Sequence, residues 1–598
     1  MNTNNSGTKL INKSDIRKAA GLKGPFGSLI ASCAMSLMGL NRINRLYSQF
    51  GAFHGREFTK EAMKTFRIST DILPEEVEYI PKEGPFIIVS NHPFGGWDGI
   101  VLYNTVAAVR PEFKILTNFI LSFIPNLRDS FLAVNPFSDN KKLRSSYPGL
   151  KAAKEALENG GCVGIFPAGE VSTKYKGSRY TTDKEWTHTV MKLVSTSKVP
   201  VVPVYFDGTN STWFHLVGRI HPVLRTLNLP NELIRRSGKT VTMRIGKPIP
   251  AQEAAKFSNP NELGKMLRNR VYAMEANVPR NEPRQQASGA QEPLLPPVPT
   301  SALQKEMEAL TPLFEAHKYQ CFLAGTEQIP YMMQEIGRRR EESFRQVGEG
   351  TGASIDTDSF DLYYKHLILW DKDACQLAGA YRLGIGREIY EKYGVKGFYT
   401  HTLFRYSDDF CSILPECIEL GRSFLSVEYK KEALPLMLLI KGLFYTVLRY
   451  KDCKYLFGPA SITSWLPPFY RSLIVYGLTK FTPQAHKGYV IPRTPFKYDF
   501  LRVDPALLLE NRLESIDYFD KYIQRLSDGR YRIPTLIKKY VKLQAEILAF
   551  NVDREFNYCV DGMIFLDMAL VPRSEIEMLT KGSDDPEGLI DRFYGTGS

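Results

Sequence analysis

Short apolar runs alternate with helix-forming stretches between residues 85 and 246, and this alternation restricts the fold more than any other feature. Strands that alternate with helices pack as an α/β sheet, and the connecting loops then carry the polar side chains. The first half of the chain is therefore predicted to be an α/β domain. The predicted strands are 85–90, 113–118, 162–166, 200–206 and 240–246, and the predicted helices are 98–109, 147–159 and 183–197.

The length of 598 residues exceeds what one hydrophobic core usually supports, so more than one domain is expected. Residues 279–302 are rich in Pro, Gln, Ala and Glu and lack apolar periodicity, which is typical of an extended linker. We place the domain boundary there. A first domain at 1–278 then precedes a second at 303–500, and residues 501–598 form a helical C-terminal extension.

Charge and cysteine content restrict the partners and the compartment. The chain has 77 Lys and Arg against 64 Asp and Glu, a net charge of +13, so its partner is expected to be nucleic acid, anionic lipid or an acidic carrier protein. No nucleic-acid-binding signature is present in the sequence, which disfavours the first. The 8 cysteines form no Cys-x-x-Cys pair and no zinc-ligand spacing, so neither disulfides nor a metal is indicated, and a reducing cytoplasm is expected.

Residues 24–41 form an uncharged segment between Lys23 and Arg42. The segment is short and rich in small residues for a transmembrane helix, whereas its basic flanks suit a helix that lies in an anionic membrane interface. The alternative is a buried hairpin of the first domain.

Two predicted strands end in loops with complementary chemistry. The first loop contains His92 and Asp98, and a carboxylate that holds one imidazole nitrogen leaves the other free to deprotonate a hydroxyl that attacks an acyl carbon. The second contains Phe166 and Glu170. Each has a simpler explanation: the His and Asp can arise from helix capping, and Glu170 from a solvated turn or N-cap.

The order and spacing of these residues resemble the lysophospholipid acyltransferases, the PlsC-like family, over roughly residues 15–275, and in particular a divergent branch labelled hemolysin. The resemblance implies that His92 is the base, that Asp98 orients it and that the second loop holds the acyl acceptor. Two departures are the five residues between His92 and Asp98, where most members have four, and Ala168 at the usual glutamate, which Glu170 is expected to replace. The matching positions are Asn91, His92, Asp98, Phe166, Pro167 and Gly169.

In the second half, charged residues recur in apolar surroundings. Because charges among apolar side chains need partners, they predict an ion-pair network around a cleft. Glu419 and Arg422 also fit an ordinary helical surface pair. The set consists of Arg340 with Phe344, Asp358 with Asp361, Arg382, and Glu419 with Arg422.

This set is similar to the autoinducer-synthase-like branch of the GNAT acyltransferases, which includes enzymes that make lyso-ornithine lipid, over about residues 325–500. The resemblance implies that Glu419 is the base for the acceptor amine. Asp358 and Asp361 then either hold a cationic amino acid or lock Arg382. Residues 427–436 contain no glycine with which to grip a coenzyme A diphosphate, which favours acyl carrier protein as the donor, with no cofactor.

Taken together, the two halves resemble the bifunctional ornithine lipid synthases of bacteria. The resemblance implies an enzyme whose C-terminal half N-acylates ornithine with a 3-hydroxyacyl group from acyl carrier protein and whose N-terminal half O-acylates that hydroxyl. A peripheral or monotopic position on the cytoplasmic face of the inner membrane is expected. The alternatives are the same steps on glycine, serine or lysine, or a lysophospholipid acyltransferase whose second domain only docks a carrier protein.

Overall fold

The chain folds as two compact units, Met1–Arg280 with Leu501–Leu508, and Asn281–Phe500 with Leu509–Ser598. The division lies near the start of the predicted linker 279–302: residues 280–290 lie outside the described residues, and residues 291–302 belong to the second unit. The computed structural model describes residues 9–14, 17, 24–118, 124–134, 143–175, 178, 180–220, 222–279, 291–581 and 588–594.

A seven-stranded sheet forms the centre of the first unit, in the order β1-β7-β6-β2-β5-β3-β4. All neighbouring strands are parallel except β6 and β7. The sequences of β2 and β5 are continuously apolar rather than alternating because parallel strands are covered on both faces. The strands are β1 (Ser69–Asp71), β2 (Phe86–Ser90), β3 (Lys114–Asn118), β4 (Phe131–Val134), β5 (Cys162–Ile165), β6 (Val201–Asp207) and β7 (Thr240–Ile245).

Helices of the first unit flank this sheet, and two of them differ from the prediction. The segment predicted as one interfacial helix at 24–41 is broken at Gly39, whose φ of 70° ends the first helix. The helix predicted from residue 183 begins only at His188, because Asp183 is turned into the core. The helices are α1 (Gly24–Leu37), α2 (Leu40–Tyr47), α3 (Gly55–Thr65), α4 (Pro74–Val77), α5 (Gly96–Val106), α6 (Leu143–Glu158), α7 (His188–Ser197), α8 (Thr212–Ile220), α9 (Pro222–Arg235), α10 (Ala251–Ala254) and α11 (Pro260–Ala273).

An eight-stranded sheet forms the second unit, in the order β16-β17-β14-β13-β11-β10-β9-β8, and β12 pairs with β15 separately. Only β13 and β14 are parallel neighbours in the eight-stranded sheet. The strands are β8 (Phe314–Ala316), β9 (Tyr319–Gly325), β10 (Lys365–Asp371), β11 (Gln376–Ile385), β12 (Phe404–Tyr406), β13 (Cys417–Leu425), β14 (Tyr455–Ile462), β15 (Val490–Pro492), β16 (Glu546–Asp553) and β17 (Cys559–Asp567).

The C-terminal residues contribute strands as well as the predicted helices. Strand β17 pairs along the whole of β14, so the region beyond residue 500 completes the sheet of the second unit.

Among the described helices, none is long and apolar enough to cross a membrane. The remaining helices are α12 (Thr300–Glu308), α13 (Pro330–Arg345), α14 (Gly386–Tyr393), α15 (Asp408–Ile413), α16 (Ala433–Arg449), α17 (Pro468–Phe481), α18 (Pro505–Leu508), α19 (Ile516–Leu526), α20 (Thr535–Lys542), α21 (Arg573–Thr580) and α22 (Gly588–Tyr594).

Candidate active sites

The order of strands in the first unit brings the two chemical loops together. Strand β2 lies between β5 and β6 and is parallel to both, so the loops that follow β2 and β5 leave the sheet at the same edge. The ring of Phe166 stacks on the imidazole of His92, with 4.2 Å between ring centroids and 29° between planes. The His92 side chain is 18% exposed, which keeps the imidazole partly accessible in an otherwise buried loop.

One carboxylate both caps helix α5 and holds the histidine. Asp98 is fully buried, and its Oδ2 accepts hydrogen bonds from the main-chain N–H of Phe94 at 2.8 Å and of Gly95 at 3.0 Å. The same oxygen lies 3.0 Å from His92 Nδ1, but this contact does not have the geometry of a hydrogen bond. The turn requires a φ of 81° at Gly95, a conformation that residues with a side chain rarely adopt and that glycine adopts freely. Asp98 therefore both caps the helix and contacts His92, and its role in orienting a base remains a prediction.

A second buried carboxylate, which the sequence reasoning missed, holds the main chain of the histidine. Asp183 Oδ1 accepts the main-chain N–H of His92 at 3.2 Å and the hydroxyl of Ser172 at 2.5 Å, and its Oδ2 accepts Trp186 Nε1 at 3.1 Å. The main-chain N–H of Ser172 donates to His92 O at 2.8 Å. Burial raises the pKa of Asp183, and the hydrogen bonds oppose that effect. His92 is thus fixed at its ring and on both sides of its main chain.

A cavity of about 280 Å³ adjoins His92 and is lined mainly by apolar side chains. Its volume and apolar walls suit an alkyl chain, and His92 and Phe166 are among its lining residues. The N-terminal helices contribute part of the wall, so the segment that precedes the sheet belongs to the site. Representative lining residues are Leu10, Ile43, Tyr47, Phe58, Ile115 and Leu233.

Other residues predicted to bind substrate in this unit contact the protein itself. Asn91 donates to Phe206 O at 2.8 Å and accepts from Phe206 N–H at 2.7 Å, which joins the end of β2 to β6. Glu170 forms an ion pair with Arg225 of α9 at 2.7 Å. Gly169 lines the cavity, and Pro167 O accepts the Thr187 N–H at 3.0 Å. Contacts of Asn91, Pro167 and Glu170 with substrate remain predictions.

An ion-pair cluster in the second unit gathers most of the charges predicted there. Arg340 Nε donates to Asp356 Oδ2 at 3.0 Å, and its Nη2 donates to Asp361 Oδ2 at 2.9 Å. Arg382 Nη1 donates to Asp361 Oδ1 at 3.2 Å and to Asp358 Oδ1 at 2.5 Å. Asp361 therefore lies between two arginines. Asp356 was missed, although the spacing Asp-x-Asp-x-x-Asp at residues 356–361 marks it.

Arg422 joins this cluster from β13 in an unusual backbone conformation. Its φ is 49°, in the left-handed region that non-glycine residues rarely adopt. The guanidinium lies 3.4 Å from Asp358 and 4.1 Å from the ring centroid of Phe556, and it also faces the ring of Tyr399. Phe344 packs edge-on against Phe556, with 6.3 Å between ring centroids. Phe556 lies beyond the stretch that carries the family resemblance, and no motif in the sequence marks it.

We expect Asp361→Asn to destabilise the second unit strongly at neutral pH. Burial alone raises the pKa of Asp361, but the guanidinium groups of Arg340 and Arg382 hold it well below its usual range. Breaking a buried pair on one side costs about 3–5 kcal/mol. A depressed folded-state pKa stabilises the fold above the unfolded pKa of about 3.9, and that contribution is lost as pH falls through the folded value. The free energy of unfolding in urea should therefore be lower for the variant than for the intact chain, by an amount that is constant at pH 6–8 and shrinks below about pH 4. A difference that does not change with pH would contradict an ionised Asp361.

Glu419 lies where the parallel ladder of β13 and β14 ends. The two strands pair at Cys417–Glu419 with Tyr455–Phe457, although β13 continues to Leu425 and β14 to Ile462. The buried carboxylate accepts from the main-chain N–H of Tyr399 at 3.0 Å and of Thr400 at 2.7 Å, and from the hydroxyls of Thr400 and Tyr364. Burial raises the pKa of Glu419, and these donors oppose it. Its role as a base remains a prediction.

Two further carboxylates that the sequence reasoning missed are close to this region. Asp561 on β17 accepts from Ser461 Oγ of β14 at 2.7 Å, and burial raises its pKa to about 6. Burial and the charge of Asp561 raise the pKa of Glu349 to about 8. Arg422 interacts electrostatically with Asp561, which connects these carboxylates to the ion-pair cluster.

Two family models match separate parts of the chain. A model described as an acyltransferase matches residues 34–279, and one described as an acetyltransferase (GNAT) domain matches residues 339–440. A glycine N(alpha)-acyltransferase of Bacteroides thetaiotaomicron is 30% identical over 252 residues, which cover 40% of this chain and 74% of the relative. The chain belongs to the acyltransferases. It combines a PlsC-like acyltransferase unit with a C-terminal GNAT domain.

A second relative of this acyltransferase is named for a different activity. A lyso-glycine lipid O-acyltransferase of the same organism is 30% identical over 227 residues, which cover 37% of this chain and 80% of the relative. The crystal structure of the 1-acyl-sn-glycerophosphate acyltransferase PlsC from Thermotoga maritima matches at 17% identity and a TM-score of 0.25, over 42% of this chain and 91% of that one.

Proposed function

We propose that this acyltransferase makes a doubly acylated amino-acid lipid in two steps, with glycine as the amino acid. The observation that carries the proposal is the presence in one chain of similarity to two relatives named for successive reactions, glycine N-acylation and lyso-glycine lipid O-acylation. The GNAT unit transfers a 3-hydroxyacyl group to the α-amine. The PlsC-like unit then esterifies the 3-hydroxyl with a second acyl chain.

Charge balance in the GNAT cluster favours glycine over ornithine. Glycine presents a single amine, whereas ornithine also brings a side-chain ammonium that needs a carboxylate. The three aspartates of the cluster, Asp356, Asp358 and Asp361, each contact an arginine, so their charges are already compensated. Ornithine is the second candidate because Asp561, which interacts electrostatically with Arg422, adds one carboxylate close to this cluster.

In the proposed O-acylation, His92 acts as general base. Its ring takes the proton of the 3-hydroxyl, the oxygen attacks the thioester carbonyl carbon, the C–S bond breaks, and the leaving thiolate receives the proton. Asp98 Oδ2 lies 3.0 Å from Nδ1 and places its charge on that side of the ring, which leaves Nε2 for this transfer. Stacking on Phe166 and the bonds from Asp183 and Ser172 keep the imidazole beside the cavity that would accept the alkyl chain.

For the donor we propose acyl carrier protein rather than coenzyme A. Helix α16 begins at Ala433, and a helix N-terminus is where a GNAT enzyme would bind the diphosphate. Here the exposed Glu432 directly precedes the helix, and its charge opposes a diphosphate, whereas the charge of Glu428 is compensated by Arg339 at 2.8 Å. Lys431 is exposed beside them and is available to an acidic protein partner, whereas Lys430 donates to Ser343 O at 2.8 Å and to Gln346.

Purified full-length protein with competing substrates tests this proposal. The protein is incubated with equal concentrations of isotope-labelled glycine and ornithine, and with a 3-hydroxyacyl group on either acyl carrier protein or coenzyme A. We expect N-acylglycine to exceed N-acylornithine by at least tenfold and the carrier-protein donor to be preferred. Excess N-acylornithine would reassign the amino acid, and no N-acylated product with either donor would favour a GNAT unit that only docks a carrier protein.

We also propose that helix α1 binds an anionic bilayer surface from the cytoplasmic side. Leu29 and Leu37 are 59% and 79% exposed on this helix, and Arg42 and Arg45 are exposed on the next. Burying a leucine in an apolar phase is worth about 1.5–3 kcal/mol. We therefore expect Leu29→Ser with Leu37→Ser to weaken co-sedimentation with phosphatidylglycerol vesicles by at least about tenfold.

The matched control for this prediction changes two exposed apolar residues of the other unit. Leu570 and Met578 are 53% and 52% exposed, so Leu570→Ser with Met578→Ser removes comparable apolar surface. This control should bind vesicles like the intact chain. Equal loss in both double variants would contradict a specific role for α1.

A further inference from the structure

A short segment from the C-terminal half of the chain belongs to the PlsC-like unit. Residues Leu501–Leu508 are part of the first unit, although they follow most strands of the second in sequence. The main-chain N–H of Asp504 donates to Asn269 Oδ1 on α11 at 3.0 Å, and helix α18 packs against α11. The PlsC-like unit is thus assembled from two distant parts of the sequence.

Arg502 is the main polar anchor of this segment. Its Nη1 donates to Glu275 Oε2 at 2.5 Å and to the hydroxyl of Tyr205 on β6 at 2.9 Å. The side chains of Arg502 and Glu275 are 13% and 2% exposed, so this is a largely desolvated ion pair. The guanidinium also lies 5.9 Å from the ring centroid of Tyr272 and 5.4 Å from that of Tyr180.

Tyr272 extends these contacts to the carboxylate that holds His92. Its hydroxyl accepts the main-chain N–H of Asp183 at 2.7 Å. On the same tyrosine, the guanidinium of Arg268 lies 5.0 Å from the ring centroid, and Arg268 Nη2 donates to Asp183 O at 2.9 Å. The main chain of Asp183 is fixed at both its N–H and its C=O, while its side chain accepts the N–H of His92.

We propose that Arg502 is a positioning residue for the His92 site, which it supports through Tyr272 and Asp183. The inference rests on the proposed O-acyl transfer. Removal of the buried guanidinium takes away its ion pair with Glu275 and its packing on the ring of Tyr272, so that ring is expected to shift, and small displacements of a general base cost rate. The PlsC-like site is therefore complete only when the segment 501–508 is in place, which gives the fusion of the two halves a structural reason.

Kinetics of Arg502→Gln in the full-length chain test this inference. We expect kcat for O-acylation of the lyso-lipid to fall about 10- to 100-fold, with KM changed less than about threefold and N-acylation within twofold of the intact chain. Tyr272→Phe should lower the same kcat, and Arg502→Lys should recover part of it because the charge facing Glu275 is kept. The control is Lys82→Gln, which removes an exposed ion pair with Glu78 in the same unit and should change neither step.

Hydrogen exchange provides a readout that does not depend on activity. In Arg502→Gln and Tyr272→Phe we expect faster deuterium uptake in the peptides that contain residues 91–98 and 172–186, with the GNAT unit unchanged. Unchanged O-acylation and unchanged exchange in both variants would overturn the positioning role. If the intact chain makes no diacylated lipid, the proposed function fails, and the exchange experiment alone still decides whether Arg502 supports the His92 loop.

Discussion

The His92→Ala variant is expected to stop at the mono-acylated amino acid, which should accumulate because the first acylation does not use this residue. Without the imidazole no group in the loop takes the proton of the attacking hydroxyl, and general base catalysis is typically worth about 10²–10⁴-fold. The remaining loop keeps its shape, since Asp98 still caps α5 through Phe94 and Gly95. The O-acylation rate should therefore fall by at least about 10²-fold without loss of folding.

Asp98→Asn tests whether Asp98 orients the proposed base, His92, while the imidazole itself is kept. Asparagine retains an oxygen for the capping hydrogen bonds but removes the charge that faces His92 Nδ1. We expect a loss of O-acylation smaller than that of His92→Ala and the same accumulating intermediate, measured by liquid chromatography with mass spectrometry on purified protein. Wild-type amounts of the diacylated product from His92→Ala would place the O-acylation chemistry elsewhere.

Glu419→Gln is expected to abolish the first acylation and, with it, every acylated amino-acid product. The carboxylate accepts four hydrogen bonds, two at each oxygen. In glutamine an NH2 group replaces one of these oxygens and faces two donors. If Glu419 is also the base, the acceptor amine keeps its proton. Together these effects should reduce N-acylation by at least about 10²-fold. O-acylation of added lyso-lipid should stay unchanged, which serves as the internal control.

Tyr364→Phe distinguishes a catalytic Glu419 from a purely structural one. The hydroxyl of Tyr364 lowers the pKa of Glu419, so its removal should raise that pKa. A base is active when deprotonated, so the acid limb of the pH–rate profile for N-acylation should move to higher pH. If the limb does not move while the rate falls, Glu419 acts through structure, and Asp561→Asn is the next variant to measure.

The fold and the first site follow from local sequence to a large extent. The continuous apolar runs of β2 and β5 predict buried parallel strands, and the loops after such strands meet at one edge, which brings His92 to Phe166. The prediction of site residues failed where one residue supports another that is far from it in the sequence. Asp183 is 91 residues from the histidine it supports, and its surroundings in sequence resemble a helix start.

In the GNAT unit, charges in apolar surroundings predicted an ion-pair network, and the structure contains one. The sequence could not say which charges pair, so it left open whether Asp358 and Asp361 bind a substrate or lock Arg382; both contact Arg382. The sequence also did not show that β17 completes the sheet of the second unit. The apolar run of β17 reads as either buried helix or buried strand, and only its pairing with β14 decides between them.

The most direct test of the two-step synthesis is the total lipid mass spectrum of a host that lacks amino lipids and expresses the full-length chain. The account predicts a new lipid that releases glycine on acid hydrolysis and carries two acyl chains, one amide-linked and one ester-linked. Absence of any acylated amino acid, together with altered phospholipid acyl chains, would contradict it and would favour a lysophospholipid acyltransferase with a carrier-docking domain.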